Sequence, residues 1–180
     1  RETRTYEIIE DVKNFRSEIG VLFLNGYNRD VLTKMFDDNR LTYTSLFKAR
    51  PHIFVSKSNP LAKHKVVSLE DLEDFPYLSY DQGIHNSFYY SEEILSQIPH
   101  KKSIVVSDRA TLFNLLIGLD GYTIATGILN SNLNGDNIVS IPLDVDDEID
   151  IVYLKHEKAT LSKMGEKFLD NLVKEVTFDN

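Results

Sequence analysis

Hydrophobic residues recur along this chain with two different periods, and the alternation between them predicts an α/β fold. Residues 5–15 carry apolar side chains at helical spacing, whereas residues 19–24 are apolar throughout, as in a strand covered on both faces. Residues 28–38 return to the helical period, and Leu41 begins the next extended run. Helix, strand, helix and strand with short connections are typical of a doubly wound parallel sheet.

The same rhythm continues to the end of the chain. Residues 109–119 form a helix that is apolar on most faces and is therefore expected to be buried, with Ser107 or Asp108 as its cap. Residues 1–4 are expected to form a strand that would be the second of its lobe, so we expect the sequence either to be a fragment or to begin where the ordered residues begin. The remaining predictions are strands over 77–80, 103–106, 122–126, 138–143 and 149–154, helices over 68–74, 86–97 and 160–176, and a polar loop over 130–137.

The stretch 41–61 indicates how the chain is divided. Two extended runs, 41–46 and 52–55, are joined by Arg50-Pro51 without a glycine turn. Proline lacks an N–H group and favours an extended conformation for the residue before it, so this joint is not a hairpin. A direct joint between two extended runs predicts that the chain passes here from one lobe to another.

Composition narrows the functional classes. The 180-residue chain has no cysteine, which excludes disulfides and cysteine nucleophiles and fits a reducing cytosol. No apolar run approaches the roughly 20 residues needed to span a bilayer. A net charge of -8 disfavours direct contact with nucleic acid. The five histidines lack metal-ligand spacing and no G-x-S-x-G motif occurs, so we expect no metal, no cofactor and no enzymatic activity.

Three polar strand ends are the candidate ligand site, because ligands of open α/β sheets bind beyond the carboxyl ends of the strands and at helix N-termini. Each end fits a structural role about equally well, as a turn, a helix cap or a strand terminator. A fourth contact is expected where the first lobe ends. The predicted ligand-binding residues are Tyr80, Asp81 and Gln82 after one strand, Ser107 and Asp108 after the second, Thr126 and Gly127 after the third, and Thr44 of the first lobe.

Four short blocks carry a resemblance to a known family. They are the turn ending in Asn59-Pro60-Leu61-Ala62, the SLEDL of 68–72, the VVSD of 105–108 before an apolar helix, and the GLDGYTI of 118–124. In this order and spacing they resemble the effector-binding region of LysR-type transcriptional regulators. Asp120 departs from the family pattern. Residues 89–92 and 108–112 are similar to a branch that controls cysteine and methionine metabolism.

The resemblance implies a periplasmic-binding-protein-like (type II) fold, in which two doubly wound α/β lobes are joined by two crossing segments. Residues 1–48 and 150–180 would form lobe I, residues 56–140 would form lobe II, and residues 48–55 and 141–149 would be the hinges. A small metabolite, expected to belong to cysteine or methionine metabolism, would bind in the cleft between the lobes.

The resemblance also implies partners outside this sequence. Promoter DNA would be bound by a winged helix-turn-helix domain that is absent here, and the protein would form homodimers or tetramers in the cytoplasm, away from any membrane. The same fold physics fits an alternative, a stand-alone solute-binding protein of a transporter. Upstream sequence would separate the two hypotheses, because a regulator has a winged helix-turn-helix and a transport protein has a signal peptide.

Overall fold

A computed structural model describes residues 1–129 and 135–178, so most of the loop predicted over 130–137 lies outside the described residues. Within these residues the chain forms four α-helices and eight strands, together with short 3-10 helices at Pro60–Lys63, Glu70–Leu72 and Phe88–Tyr90. The helices are α1 (Thr5–Lys13), α2 (Arg29–Asp38), α3 (Arg109–Gly118) and α4 (Lys163–Phe178), and the strands are β1 (Gly20–Leu24), β2 (Leu41–Ala49), β3 (His52–Ser56), β4 (Tyr77–Tyr80), β5 (Ser103–Val106), β6 (Tyr122–Ala125), β7 (Ile138–Pro142) and β8 (Ile149–His156).

The chain divides into two compact units. Unit 1 comprises residues 1–49 and 148–180, and unit 2 comprises residues 50–147. Strands β2 and β3 belong to different sheets although only Arg50 and Pro51 separate them, so the proline joint is not a hairpin. The structure is thus mixed α/β with two sheets, as the hydrophobic pattern predicts.

Unit 1 is built on a three-stranded sheet of order β1-β8-β2. Strand β8 is antiparallel to both neighbours, so β1 and β2 run in the same direction without touching. The helix–strand rhythm alone predicts a continuous parallel sheet, and the late strand β8 interrupts it. Helices α1 and α2 pack on this sheet, and the core contains Ile9, Val12, Leu24, Phe36, Val152 and Leu154.

Unit 2 contains a five-stranded sheet of order β5-β4-β6-β3-β7. Strands β5, β4 and β6 are parallel, and β3 is antiparallel to β6 and β7. Leu78 of β4 packs into a core cluster with Leu112 and Leu116 of α3. Because side chains alternate along a strand, Tyr77 and Ser79 point to the opposite face, toward the segment 81–100.

Hydrogen bonds define two short capping structures. The Asp108 side chain accepts from the Thr111 backbone N–H at 2.9 Å and caps α3. Ser68 and Asp71 form a reciprocal capping box, in which each backbone N–H donates to the other side chain at 2.8 and 3.3 Å.

Three expectations from the hydrophobic pattern are wrong. Residues 1–4 are not a strand. The helix over 86–97 is replaced by turns and the 3-10 helix Phe88–Tyr90, and Leu95, with φ of +61°, lies outside the helical region. Helix α3 is not buried all round, since Ile117 is 45% exposed. Its contacts come from one sheet face, and a single sheet can cover only one side of a helix.

Candidate functional site

The carboxyl ends of three parallel strands meet at one edge of the unit 2 sheet. Strand β4 lies between β5 and β6, and the backbone N–H of Asp81 donates to the carbonyl oxygen of Val106 at 2.8 Å. Asp81, Ser107 and Thr126 directly follow these strands and therefore share this edge. The topology thus brings together the three strand ends that the sequence analysis selects.

Asp108 and Ser107 are exposed at the start of α3. The Asp108 carboxylate accepts hydrogen bonds from the backbone N–H and the hydroxyl of Thr111, at 2.9 and 2.8 Å. These bonds hold the pKa of Asp108 below its usual value. The carboxylate of Asp108 is therefore engaged as a helix cap, whereas Ser107 lies at an accessible position beside it.

Gly127 follows β6 with φ of +83°. A Cβ atom at this position would lie 2.5 Å from Nδ1 of His52 in β3, so no larger residue fits without moving the ring. Thr126 is half-buried beside it. Thr44 belongs to unit 1, where it is exposed on β2 opposite Tyr153 of β8. The structure therefore assigns Thr44 to a different unit from the other seven predicted residues.

A cavity of about 650 Å³ lies between one face of β4 and β5 and the segment 81–100. Of the eight predicted residues, Tyr80, Asp81 and Gln82 line it, and the other five do not. Most of the side chains that line the cavity come from residues that the sequence analysis does not select. The lining also includes Tyr77, Ser79, Gly83, Asn86, Phe88, Ser91, Glu93, Ser96, Gln97, Ile98, Pro99, His100, Ser103 and Val105.

Glu93 is the buried acid of this cavity. It is 4% exposed, and its Oε1 accepts a hydrogen bond from the Tyr80 backbone N–H at 2.6 Å. Burial raises the pKa of Glu93 to about 7, against the lowering effect of that hydrogen bond. Among the described residues, no cation forms an ion pair with Glu93.

Gln82 adds an unused acceptor to the same wall. Its Nε2 donates to Oε1 of Glu92 at 3.2 Å, and the residue is 8% exposed. Its buried Oε1 has no hydrogen-bond partner among the described residues. Buried carbonyl oxygens are nearly always paired, so this oxygen is an open position for a donor.

Tyr77 and His100 form an aromatic wall. Their rings stack with centroids 3.7 Å apart, and Nδ1 of His100 lies 2.9 Å from the hydroxyl of Tyr122. Burial raises the pKa of Tyr77 and lowers the pKa of His100, so both rings are neutral near pH 7. The Tyr77 hydroxyl and His100 Nε2 have no partner among the described residues.

The sequence analysis misses Glu93, Tyr77 and His100. A signal for Glu93 was present, because it follows Tyr89 by four positions and Tyr90 by three, a spacing that shares the apolar face of a helix. An acid on an apolar face indicates either a capped charge or a site. Tyr77 and His100 are distant in sequence, and nothing in their local pattern shows that their rings stack.

The cavity can bind and orient a small molecule, but it offers no evident catalytic constellation. Within residues 1–129 and 135–178, no group of three His, Cys, Asp or Glu side chains is placed to hold a metal ion. No helix of the described chain is long and apolar enough to cross a bilayer.

Comparison with known proteins identifies the family. The family model described as the LysR substrate binding domain matches residues 1–177. No curated protein sequence matches this chain significantly. Among solved structures, HinK, a LysR family transcriptional regulator from Pseudomonas aeruginosa, superimposes with a TM-score of 0.64 at 16% identity, covering 97% of this chain and 58% of that chain.

Two further structures are effector-binding domains. That of QuiR in complex with shikimate has a TM-score of 0.63 at 19% identity, covering 96% of this chain and 78% of that chain. That of BenM with its effector benzoate has a TM-score of 0.62 at 19% identity, covering 98% of this chain and 76% of that chain. At such identities the likeness shows the fold, which confirms the predicted periplasmic-binding-protein-like (type II) class.

The matched family and its solved relatives are regulatory domains and not enzymes. They do not favour the alternative of a transporter's solute-binding protein. The present chain spans 58% of the length of HinK. With its family match over residues 1–177 and its two-sheet α/β fold, this chain belongs to the LysR substrate-binding domain family.

Proposed function

We propose that this chain is the effector-sensing region of a LysR-type transcriptional regulator, and that it binds a small metabolite to modulate transcription. The observation that carries the proposal is the cavity of about 650 Å³ beside the end of β4. Small-molecule sites typically measure about 300–1,000 Å³ and combine apolar walls with a few polar groups. Three residues selected on the strand-end argument, Tyr80, Asp81 and Gln82, lie in its wall.

The other predicted ligand contacts lie outside the cavity wall, and we propose a different role for each of them. Ser107 stands at the start of α3, where backbone N–H groups and the helix dipole favour an acceptor or anion on the ligand. Thr126 offers a hydroxyl, and Gly127 allows the ligand to approach the backbone. Asp108 caps the helix and contributes mainly by holding this edge in place. Thr44 of unit 1 is proposed as a further ligand contact.

The closer assignment is that the effector belongs to cysteine or methionine metabolism. Its support is the likeness of residues 89–92 and 108–112 to that branch of the family. Family members recognise chemically different molecules, since the solved relatives include a domain in complex with shikimate and one with benzoate. The effector of this chain therefore has to be identified by measurement.

The rest of the regulator follows from the family. We propose that promoter DNA is bound by a winged helix-turn-helix in another part of the protein, because the net charge of -8 disfavours DNA contact by this chain. We also propose that residues 48–55 and 141–149 act as hinges, that the protein forms homodimers or tetramers, and that it works in the cytoplasm. An effector acts by preferring one conformation over another.

A thermal-shift screen tests the proposal. The panel contains O-acetylserine, O-acetylhomoserine, homocysteine, cysteine, methionine and sulfate, with shikimate, benzoate and sugars for comparison. A ligand present at 100 times its dissociation constant stabilises the folded state by about 2.7 kcal/mol, which is an easily measured shift. We expect at least one sulfur metabolite to raise the melting temperature.

Matched variants separate specific from general effects. Gln82→Ala, in the cavity wall, should abolish the shift, and Ser107→Ala tests the separate contact proposed at the start of α3. Lys65→Ala, at an exposed position of unit 2, should retain the shift. A shift with shikimate or benzoate alone would contradict the sulfur assignment and leave the sensing function. No shift with any compound in a broad metabolite library would contradict the sensing function itself.

A further inference from the structure

The described residues that line the cavity in unit 2 carry carboxyl groups but no permanently charged base. Its walls include the carboxyl groups of Asp81 and Glu93 and no lysine or arginine. His100, the only other ionisable nitrogen in the lining, is kept neutral because burial lowers its pKa. The cavity wall therefore favours a cationic group on the ligand.

Glu93 is a buried acid that has no cationic partner among the described residues. A buried carboxylate is normally matched by a cation, because taking a charge out of water costs several kcal/mol. Glu93 is 4% exposed and accepts a hydrogen bond from the Tyr80 backbone, yet no described residue supplies a positive charge. An ammonium group entering the cavity would supply it.

Gln82 provides an independent indication of a hydrogen-bond donor in the same place. This residue is 8% exposed and lines the cavity, and its Oε1 has no partner. The Nε2 of the same side chain is held by Glu92, which fixes the amide orientation with the oxygen left over. A ligand with several N–H donors satisfies both the carboxylate and this oxygen.

We propose that this cavity binds a small primary ammonium compound, whose charged group pairs with Glu93 and donates a hydrogen bond to Gln82. The inference rests on the proposed sensing function, of which it names the ligand class. The body of the ligand is compact and partly apolar, because the rest of the wall combines apolar and aromatic side chains with serine, asparagine and glutamine. The residues that would contact it are Tyr77, Phe88, Ile98, Pro99 and Val105.

The ammonium requirement is tested with probes that share one carbon skeleton and differ in charge. The protein is titrated with n-butylamine, 1-butanol and butyrate, and then with benzylamine, benzyl alcohol and benzoate, while its amide nitrogen–proton NMR spectrum is recorded. We expect saturable shifts with the two amines, centred on the amides of Tyr80 and Glu93. The alcohols should bind at least about tenfold more weakly, and the carboxylates should not bind.

Glu93→Gln is the decisive variant, because it removes the charge while keeping the shape and an acceptor for the Tyr80 N–H group. It should weaken amine binding by about tenfold or more and leave the weak binding of the alcohols unchanged. Glu70→Gln, an exposed acid of the same unit, should bind amines as the unmodified protein does. The same spectra report whether each variant is folded.

Amine binding should also depend on pH in a defined way. The titratable groups around Glu93 are Tyr77 and Tyr80 of β4, Asp81, Glu92 and His100 of the segment that follows, and Tyr122 of β6. Glu93 has a pKa of about 7, whereas the pKa of His100 is lowered and those of Tyr77 and Tyr122 are raised. Binding of n-butylamine should therefore rise about tenfold from pH 6 to pH 8, and Glu93→Gln should remove the rise.

Two outcomes would overturn the inference. One is binding of the alcohols or carboxylates as tightly as the amines, and the other is unchanged amine affinity in Glu93→Gln. Neither outcome touches the sensing function, which would still hold if any metabolite in the screen stabilised the protein through Gln82 and Ser107. Failure of the sensing function would instead appear as the absence of a metabolite ligand of every charge class.

Discussion

The two units treat buried carboxylates in opposite ways. In unit 1, Asp11 is 4% exposed and lies 3.0 Å from an Arg1 guanidinium nitrogen and 2.8 Å from Arg16 Nε. Asp150 is 7% exposed and lies 3.2 Å from a nitrogen of Arg29. In unit 2, Glu93 is equally buried but has no cationic partner among the described residues.

Other buried polar atoms follow the same division. All the buried side-chain atoms that lack a partner in the described part of the chain belong to unit 2, and three of their four residues line the cavity. Unpaired buried groups cost stability, so they persist mainly where function requires them. The comparison indicates that unit 1 uses its buried acids for structure, whereas unit 2 keeps acceptors open for a ligand.

The largest effect is expected for Glu93→Gln, which should change how the free energy of unfolding depends on pH. The folded state raises the pKa of Glu93 from 4.5 to about 7, so it holds a proton that the unfolded chain loses. Stability therefore falls as the pH rises from 4.5 to 7 and is level above that range. Urea denaturation should show that Glu93→Gln is more stable by about 3 kcal/mol at pH 8 and unchanged near pH 4.5. A less stable variant at pH 8 would mean that the charge is compensated.

Asp150→Asn should destabilise the protein, which is the opposite of the effect expected for Glu93→Gln. The substitution removes the charge from the hydrogen bonds that Asp150 accepts from Arg29 and Ser45, and such charge-assisted bonds contribute about 1.5–3 kcal/mol. The free energy of unfolding should fall by about 2 kcal/mol, because the half-exposed Arg29 is rehydrated and recovers part of the loss. As a control, Asp38→Asn removes an exposed partner of Lys34 and should cause no measurable change. Equal effects of the two variants would remove the distinction that we draw for unit 1.

The smallest effect is expected for two tyrosine hydroxyl groups of unit 2. Tyr77→Phe removes a buried hydroxyl that has no partner and should stabilise the protein by about 1 kcal/mol. Tyr122→Phe removes the hydroxyl that pairs with His100 and should destabilise it by about 1 kcal/mol. Thermal denaturation of the two variants and the unmodified protein compares their melting temperatures. Destabilisation by Tyr77→Phe would show that its hydroxyl is satisfied, for example by water.

Much of the fold could be predicted from the sequence because the periodicity of apolar residues is a local property. Helix α1, strand β1 and helix α2 each appear close to the predicted positions. The prediction failed over 86–97, where the apolar spacing fits a helix but the chain folds into turns. Leu95 there has a positive φ, which L-residues rarely adopt, and the side chains of Ile94 and Leu95 are buried in the core.

The candidate site was predicted only in part for the same reason. Strand ends can be identified from sequence, so Tyr80, Asp81 and Gln82 were selected and do line the cavity. Glu93 was missed because its burial depends on how the segment 81–100 folds back over β4. The stacking of Tyr77 on His100 joins positions 23 residues apart, and no local pattern encodes it.

By itself, the sequence determined the alternation of helices and strands, the proline joint at Arg50-Pro51, a cap for α3 at Ser107 or Asp108, and the family likeness. All of these depend on neighbouring residues and on backbone chemistry. Only the tertiary structure decided that β8 lies between β1 and β2, that α3 is covered on one side, and that an unpaired Glu93 lines a cavity. Burial and charge pairing depend on contacts between distant segments, and those contacts set the pKa of an ionisable group.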